Sequence, residues 1–272
     1  MPSTFEIGTT RTGVTELTRH WEADNPWAAV LIVHGLAEHS GRYERTGQLM
    51  ADAGLDTRSF DLQGFGASGG ARAYLERWST YHDQVFDNLA PGFDSGLPTI
   101  LMGHSLGGLV AATFTLSLHR QPELVVLSSP VLDANVPAWQ RSAAPVLSRI
   151  LPKVRLPNPV KGEQLSRDPA VGEAYFADAL VYTKTTTKFG AIVFEQIDTM
   201  GGSYDAYDAR TLIIHGGLDS IVPARFSERL AERPNVYRML YPDLRHETLN
   251  EPEGPEVVAD IIDWIRKELN GS

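Results

Sequence analysis

A serine flanked by glycines is the strongest candidate for chemistry in this sequence. The string GHSLG at 103–107 follows an apolar run and leads directly into a segment with helical periodicity. A serine nucleophile needs a sharp turn between strand and helix, where glycines two residues away on either side leave room. The helix start then directs N–H groups at a developing negative charge. We therefore predict that Ser105 is a nucleophile rather than only a helix cap.

A serine hydroxyl is a weak nucleophile and needs a histidine base that is itself oriented by an acid. In a strand–helix topology the expected order along the chain is serine, acid, histidine, each after a separate strand. Asp219 and His246 each follow an apolar run in this order, and we predict them as acid and base. Asp133 follows an earlier run and remains an alternative acid. Asp243 is too close to His246 in the chain to reach the ring nitrogen remote from the serine.

The negative charge that forms when a serine attacks a carbonyl needs N–H donors. We predict that the N–H of Leu106, directly after the serine, is one of them. The second is expected in the loop after the run at 28–34, which reads His-Gly-Leu, so Leu36 N–H is the natural donor. Only the backbone of Leu36 would take part.

Composition and charge exclude several classes of function. The chain has 272 residues, no cysteine and a formal net charge of −10. Absence of cysteine removes disulfide frameworks, zinc–thiolate sites and cysteine nucleophiles, and the acidic balance argues against nucleic acid as a partner. We predict no cofactor and no metal.

Two further patterns resemble known binding motifs and are rejected. Residues 64–69 fit G-x-G-x-x-G, but a dinucleotide site also requires a helix opening at once and an acid ending the next strand, and the next strand ends in Gly-His-Ser. His34, Glu38 and His39 miss by one residue the spacing that places two zinc ligands on one helix face.

The elements that position these residues are short apolar runs alternating with helical patterns. This alternation predicts an α/β fold with a doubly wound, mostly parallel sheet. The segment 15–22 alternates in polarity and is expected to be an antiparallel edge strand. The predicted strands of the central sheet are 28–34, 56–62, 99–103, 124–129, 211–215 and 236–241, and the predicted helices are 43–53, 106–119, 223–232 and 256–269.

One long segment interrupts the alternation. Residues 130–207 contain many prolines, no convincing central strand and helical patterns near 138–151 and 189–200, and ordinary connections are only about 2–6 residues long. We predict an inserted helical lid at 130–207 between two parts of one core, 1–129 and 208–272. Apolar side chains of the lid are expected to line an acyl tunnel or to pack the lid on the core; those assigned to substrate binding are Ile150, Leu151, Phe189 and Ile192.

Five strings of the sequence resemble one family: HGLAEHSGRY, DLQGFGASGG, GHSLGG, GGLDSIVP and RHETLNEPE. Together they resemble the monoacylglycerol lipase and lysophospholipase-like branch of the α/β-hydrolase superfamily. The resemblance implies the α/β-hydrolase fold, the same nucleophile, acid, base and oxyanion donors, and a role for Glu38 and Arg42 near the polar head of the substrate. Leu249 stands where some relatives have a second histidine. Gln63 and Phe65 replace a common arginine and histidine.

These features predict a serine hydrolase that cleaves esters of medium or long acyl chains, most simply monoacylglycerols, through an acyl-enzyme. General carboxylesterase or lysophospholipase activity is the alternative within enzymes, and peptidase, perhydrolase and carbon–carbon hydrolase activities use the same triad. A ligand-binding protein on a hydrolase fold is the alternative outside enzymes. No signal peptide or spanning segment is seen, so we expect a cytoplasmic protein. The partners expected are a small lipid ester and transient contact of the lid with lipid surfaces.

Overall fold

Eight strands form one sheet in the order β1-β2-β4-β3-β5-β6-β9-β10. The computed structural model describes residues 2–134 and 136–271. Strands β3 to β6, β9 and β10 pair in parallel, while β2 pairs antiparallel with both β1 and β4. The carboxyl ends of the parallel strands therefore meet at one edge, which is where ligands bind in open α/β sheets.

The strands are β1 (Thr4–Thr9), β2 (Thr15–Trp21), β3 (Ala28–Val33), β4 (Leu55–Phe60), β5 (Thr99–His104), β6 (Leu124–Ser128), β7 (Arg155–Pro157), β8 (Lys184–Thr186), β9 (Thr211–Gly216) and β10 (Val236–Tyr241). The α-helices are α1 (Glu44–Asp52), α2 (Ser79–Ser95), α3 (Leu106–Phe114), α4 (Ala138–Ile150), α5 (Gly162–Leu165), α6 (Pro169–Ala177), α7 (Thr187–Ser203), α8 (Glu228–Ala231) and α9 (Gly254–Asn270).

The sheet separates two hydrophobic cores. Alternate residues of a strand face opposite sides, so Leu31 and Val33 of β3 pack into one core while Val30 and Ile32 pack into the other. The first core also contains buried residues of α2, α3 and α7, and the second contains those of α1 and α9. Burial on both faces explains why the central strands are continuously apolar. The predicted α/β sheet is confirmed.

One sequence prediction about the elements is wrong, and two elements, β1 and α2, have no counterpart in the predictions. The strand at 15–22 is not at the sheet edge, because β1 pairs beyond it as the outer strand. Every residue of β1 is exposed, so the strand lacks the burial pattern that identifies strands in sequence. Helix α2 was not predicted as an element; it contains Pro91 followed by Gly92, which disfavour an interior helical turn.

Between β6 and β9 the chain forms helices α4 to α7 and a two-stranded antiparallel sheet of β7 and β8. Helices α4 and α7 cover most of the two predicted helical patterns of this segment. Its boundaries as a separate domain, 130–207, stay a prediction. In the part of the chain that the structure describes, no helix is long and apolar enough to cross a membrane.

Candidate active site

Ser105 lies on the tight turn between β5 and α3. Its backbone has φ 53° and ψ −114°, a strained conformation for a residue with a side chain and one that occurs mainly at functional sites. The turn needs glycines: a Cβ at Gly103 would lie 2.1 Å from Gly107 O, and a Cβ at Gly107 would lie 2.1 Å from Val33 O. The local sequence thus permits a backbone approach that presents the serine hydroxyl at the carboxyl edge of the sheet.

The structure brings the predicted nucleophile, base and acid together. His246 Nε2 lies 3.0 Å from Ser105 Oγ, and His246 Nδ1 lies 2.7 Å from Asp219 Oδ2. Because a carboxylate only accepts hydrogen bonds, Nδ1 carries the ring proton and Nε2 is free to accept the serine proton. All three side chains are buried. This is the arrangement that a serine nucleophile, a general base and an orienting acid require.

The acid is fixed by backbone donors and is ionised. Asp219 Oδ1 accepts the N–H groups of Ile221 at 2.9 Å and Val222 at 2.8 Å. Burial alone would raise the pKa of Asp219, but the His246 imidazole and the surrounding donors outweigh burial and hold that pKa well below its usual range. Burial would likewise lower the pKa of His246, yet the negative charge of Asp219, the hydrogen bond to it and the nearby glutamates together raise it. The pair therefore favours accepting a proton at the histidine.

The alternative acids lie elsewhere. Asp133 contacts Arg141 at 3.1 Å and is half exposed, and Asp243 is exposed. Neither has a hydrogen bond to His246 among those of the described residues, whereas Asp219 has one. The geometry favours Asp219.

The loop after β3 lies against the serine. A Cβ at Gly35 would be 3.3 Å from Ser105 Cβ, so the backbone that carries Leu36 N–H passes directly beside the nucleophile. Leu106 is the first residue of α3, so its N–H has no partner inside the helix. Among the hydrogen bonds of the described residues, none uses Leu36 N–H as donor. Both groups are thus available for an oxyanion.

His34 links this loop to the loop that follows β4. Its Nδ1–H donates to Gly35 O at 2.7 Å, and its Nε2 accepts Leu62 N–H at 2.9 Å. Burial lowers the pKa of His34, so the ring stays neutral as this pattern requires.

The glycine-rich turn at 64–69 is not followed by a helix, since α2 begins only at Ser79. The G-x-G-x-x-G string at 64–69 is therefore part of a loop and does not open a helix, as a dinucleotide site would require.

A buried charged cluster borders the His246 loop. Arg42 donates to Glu38 Oε2 at 2.7 Å and to both Glu247 oxygens at 2.7 and 2.8 Å, and it stacks over Tyr175. Glu38 Oε1 accepts Gly35 N–H at 2.6 Å. Burial would raise the pKa of Glu38, but the charge of Arg42, the neighbouring histidines and the Tyr43 hydroxyl together outweigh burial and lower it to about 2. Glu38 and Arg42 thus hold the loop that carries Leu36, and their role near the substrate head group stays a prediction. Glu247 was not identified as a site residue from the sequence, because nothing in the sequence marks it except its position next to His246.

A cavity of about 840 Å³ opens onto Ser105 and His246. This volume lies within the range of about 300–1,000 Å³ that small-molecule sites occupy. Its far walls come from α4, α7 and the chain around β7, and they are mostly apolar. The lining residues of α4 and α7 include Trp139, Ala143, Ala144, Leu147, Phe189, Val193, Phe194 and Ile197.

Three of the four lid residues assigned to substrate binding do not line this cavity. Phe189 does, but Ile150 and Leu151 are exposed and Ile192 packs into the core of the body. Helix α4 lines the cavity through its first three turns, up to Leu147. Ile150 is its last residue and Leu151 follows the helix, so both lie beyond the part of α4 that lines the cavity. The sequence showed apolar residues but not which helix face meets the cavity.

A serine on such a turn, above a mostly parallel eight-stranded sheet, defines a protein of the α/β-hydrolase fold. Residues 24–253 match the sequence profile of the family described as serine aminopeptidase, S33. The chain belongs to this family.

Two relatives of this chain agree with the sequence prediction. The chain is 32% identical over 261 residues to a monoacylglycerol lipase of Mycolicibacterium smegmatis, covering 92% of each protein, and 29% identical to a phospholipase of Bacillus subtilis, covering 87% of this chain and 94% of the relative.

Solved structures give the same result. A monoacylglycerol lipase of Paleococcus ferrophilus is 29% identical, with a TM-score of 0.83 over 94% of this chain and 99% of the other. A monoglyceride lipase of Saccharomyces cerevisiae is 19% identical and shares the fold, with a TM-score of 0.88 over 98% of this chain and 96% of the other. The predictions of the family branch and of an ester hydrolase are confirmed.

Proposed function

We propose that this chain is a monoacylglycerol hydrolase that works through an acyl-enzyme on Ser105. The observation that carries the proposal is the hydrogen-bonded series Ser105–His246–Asp219 at the mouth of a large apolar cavity. The naming of two relatives as monoacylglycerol lipases supports the substrate class.

The reaction follows from the geometry. Ser105 Oγ forms a bond to the ester carbonyl carbon while His246 Nε2 takes the hydroxyl proton, and Asp219 stabilises the imidazolium. The N–H groups of Leu36 and Leu106 bind the oxyanion. When the tetrahedral intermediate collapses, His246 gives its proton to the departing alcohol oxygen. Water then attacks the acyl carbon and gives a proton to His246. When the bond between the acyl carbon and Ser105 Oγ breaks, His246 returns that proton to Ser105 Oγ, and the fatty acid is released.

The cavity supports an apolar acyl chain with a neutral head group. Three carboxylates, Glu38, Asp133 and Glu247, lie among the lining residues. Among the lining residues that the structure describes, Arg42 is the only arginine or lysine, and two of these carboxylates already bind it. An anionic phosphate would lose its water shell without gaining a free cation. We therefore favour glycerol esters over anionic lysophospholipids, which the phospholipase relative makes the second candidate.

The test combines a probe and a substrate panel. A fluorophosphonate should label wild-type protein at Ser105 but not Ser105→Ala, whose turnover should fall by several orders of magnitude. Kinetics on monoacyl-, diacyl- and triacylglycerols, p-nitrophenyl esters of increasing chain length and lysophospholipids then define the substrate. The expected result is the highest kcat/KM on monoacylglycerols of eight or more carbons.

Three outcomes contradict parts of the proposal. Retained activity in Ser105→Ala removes the nucleophile assignment. Absence of labelling in folded wild-type protein favours the ligand-binding alternative. A preference for acetyl esters, or for lysophosphatidylglycerol over monooleoylglycerol, excludes the substrate assignment.

Contact with lipid surfaces belongs to the same proposal. Large apolar side chains of the insertion are exposed near the cavity, among them Trp139, Val146, Ile150 and Leu156. Several large apolar side chains exposed on one insertion are typical of an interaction site. We propose that these side chains contact the lipid surface that contains the substrate. The cytoplasmic location stays a prediction.

A further inference from the structure

The loop that carries His246 is bound to a short piece of the insertion, residues 162–168, called here the α5 segment. Glu247 N–H donates to Leu165 O at 2.8 Å, directly after His246. The Arg245 guanidinium donates to Ser166 O at 3.0 Å, directly before it. The α5 segment also reaches the acid loop, because Gln164 Nε2 donates to Ser220 Oγ at 3.1 Å. This part of the insertion therefore touches the loops of both the base and the acid.

Glu251 is the centre of these contacts. Its carboxylate is fully buried and accepts from both sides of the junction. Oε1 accepts Arg245 N–H at 2.8 Å, while Oε2 accepts Ser166 Oγ and Arg167 N–H, both at 2.9 Å. Arg167 Nε adds a charged donor at 3.3 Å. One carboxylate thus ties the backbone beside His246 to the α5 segment.

We propose that Glu251 is a positioning residue that holds the His246 loop against the α5 segment and so keeps the imidazole in reach of both Ser105 and Asp219. The inference rests on the proposed function, since it assumes that His246 is the base. It also divides the insertion into two parts. The α5 segment contacts the catalytic loops and adds Leu165 to the cavity wall, whereas α4, β7 and α7 supply much of the cavity lining.

The geometry explains why this support matters. The ring must meet two partners at once, at 2.7 and 3.0 Å, and a displacement of about 1 Å can cost about a hundredfold in rate. Glu251 fixes the residue before His246, and Leu165 O fixes the residue after it. Without the carboxylate, Arg245 N–H, Arg167 N–H and Arg167 Nε lose this acceptor, Ser166 Oγ keeps only Asn250 O at 3.3 Å, and one end of this short loop is released.

The test compares Glu251→Gln and Glu251→Asp with a matched control. Glutamine keeps the shape but places an amide donor opposite existing donors, and aspartate keeps the charge but is too short to bridge. Glu253 pairs with the same Arg167 but is partly exposed, so Glu253→Gln removes an ion pair without touching Arg245 N–H. We expect both Glu251 variants to lose kcat about 10–100-fold, with KM within about threefold of wild type, and Glu253→Gln to keep wild-type kcat.

The pH profile separates positioning from a general effect on the fold. If the ring moves away from Asp219, the histidine loses the charge that raises its pKa, so the acid limb of kcat/KM moves to lower pH in both Glu251 variants. A folded Glu251→Gln with wild-type kcat and acid limb overturns the proposal, as does an equal loss in Glu253→Gln. If Glu251→Gln does not fold, Ser166→Ala takes its place; lower kcat supports the proposal and wild-type kcat overturns it. Ser105→Ala tests the proposed function separately. If that variant keeps its activity, Ser105 is not the nucleophile, whatever the Glu251 variants show.

Discussion

Replacing Asp219 by asparagine tests the reasoning about the candidate triad most directly. Asp219 Oδ1 accepts two backbone N–H groups and Oδ2 accepts His246 Nδ1–H. If the asparagine oxygen keeps the backbone bonds, its amide faces Nδ1 and forces that nitrogen to accept. The ring proton then moves to Nε2, which donates to Ser105 and no longer acts as a base. The reverse orientation loses two hydrogen bonds to a charged acceptor, at about 1.5–3 kcal/mol each.

The structure therefore selects the orientation that inverts the tautomer. The loss expected for a triad with this inversion is about 10⁴-fold in kcat, or about 5 kcal/mol of transition-state stabilisation. Binding of the acyl chain does not involve Asp219, so KM should change little. Any residual activity should show an acid limb at lower pH, because the charge that raises the pKa of His246 is gone.

The assay is steady-state hydrolysis of a p-nitrophenyl ester, with thermal unfolding to verify the fold. Asp243→Asn is the control, since Asp243 is exposed and should keep wild-type kcat. Asp133→Asn tests the alternative acid and should lose far less than Asp219→Asn. Activity of Asp219→Asn within tenfold of wild type, or a larger loss in Asp133→Asn, would refute the reasoning.

Three further predictions concern pH, the cavity and the exposed insertion surface. Wild-type kcat/KM should fall on the acid side with a midpoint above 6.5, because the base must be neutral and its pKa is raised from that value; a pH-rate profile with a lower midpoint contradicts this. Gly190 lines the cavity and a Cβ there meets nothing within 4 Å, so Gly190→Leu should reduce turnover of dodecanoyl but not acetyl esters, whereas Gly202→Leu on the same helix should not discriminate. Equal loss on both esters would argue against a chain tunnel. Replacing the exposed Val146 and Ile150 by serine should weaken sedimentation with phosphatidylcholine vesicles containing monooleoylglycerol, while Leu118→Ser, exposed outside the insertion, should not; unchanged binding contradicts the lipid-surface contact.

The central sheet could be predicted because a strand that is buried on both faces has a continuous run of apolar residues in the sequence. Strands β3, β5 and β9 are buried at every position and read as continuous apolar runs. Ser105 comes directly after β5 and Asp219 lies in the loop after β9, so their positions followed from these runs; His246 lies in the loop after β10, which is only partly buried but still has apolar residues. Strand β1 left no mark, because its stability comes from backbone pairing with β2 while its side chains face solvent.

Contacts between distant parts of the chain could not be predicted in the same way. Arg42 and Glu247 are 205 residues apart, and Ser166 and Glu251 are 85 apart, so neither pair has a periodicity or spacing that a single sequence displays. The absence of Ile150, Leu151 and Ile192 from the cavity lining has a related cause. Hydrophobicity shows that a residue avoids water, but the packing of α4 and α7 decides whether it meets the core, the solvent or the ligand.

The shared hydrogen bonds of the α5 segment and the His246 loop limit how insertions can be exchanged between relatives. A chimera that replaced residues 130–207 alone would confront Glu251 and Arg245 with foreign partners, although neither belongs to the exchanged segment. The functional module is therefore discontinuous in the chain: a recombination boundary that respects it must transfer residues 162–168 together with 245–253, or leave both in place.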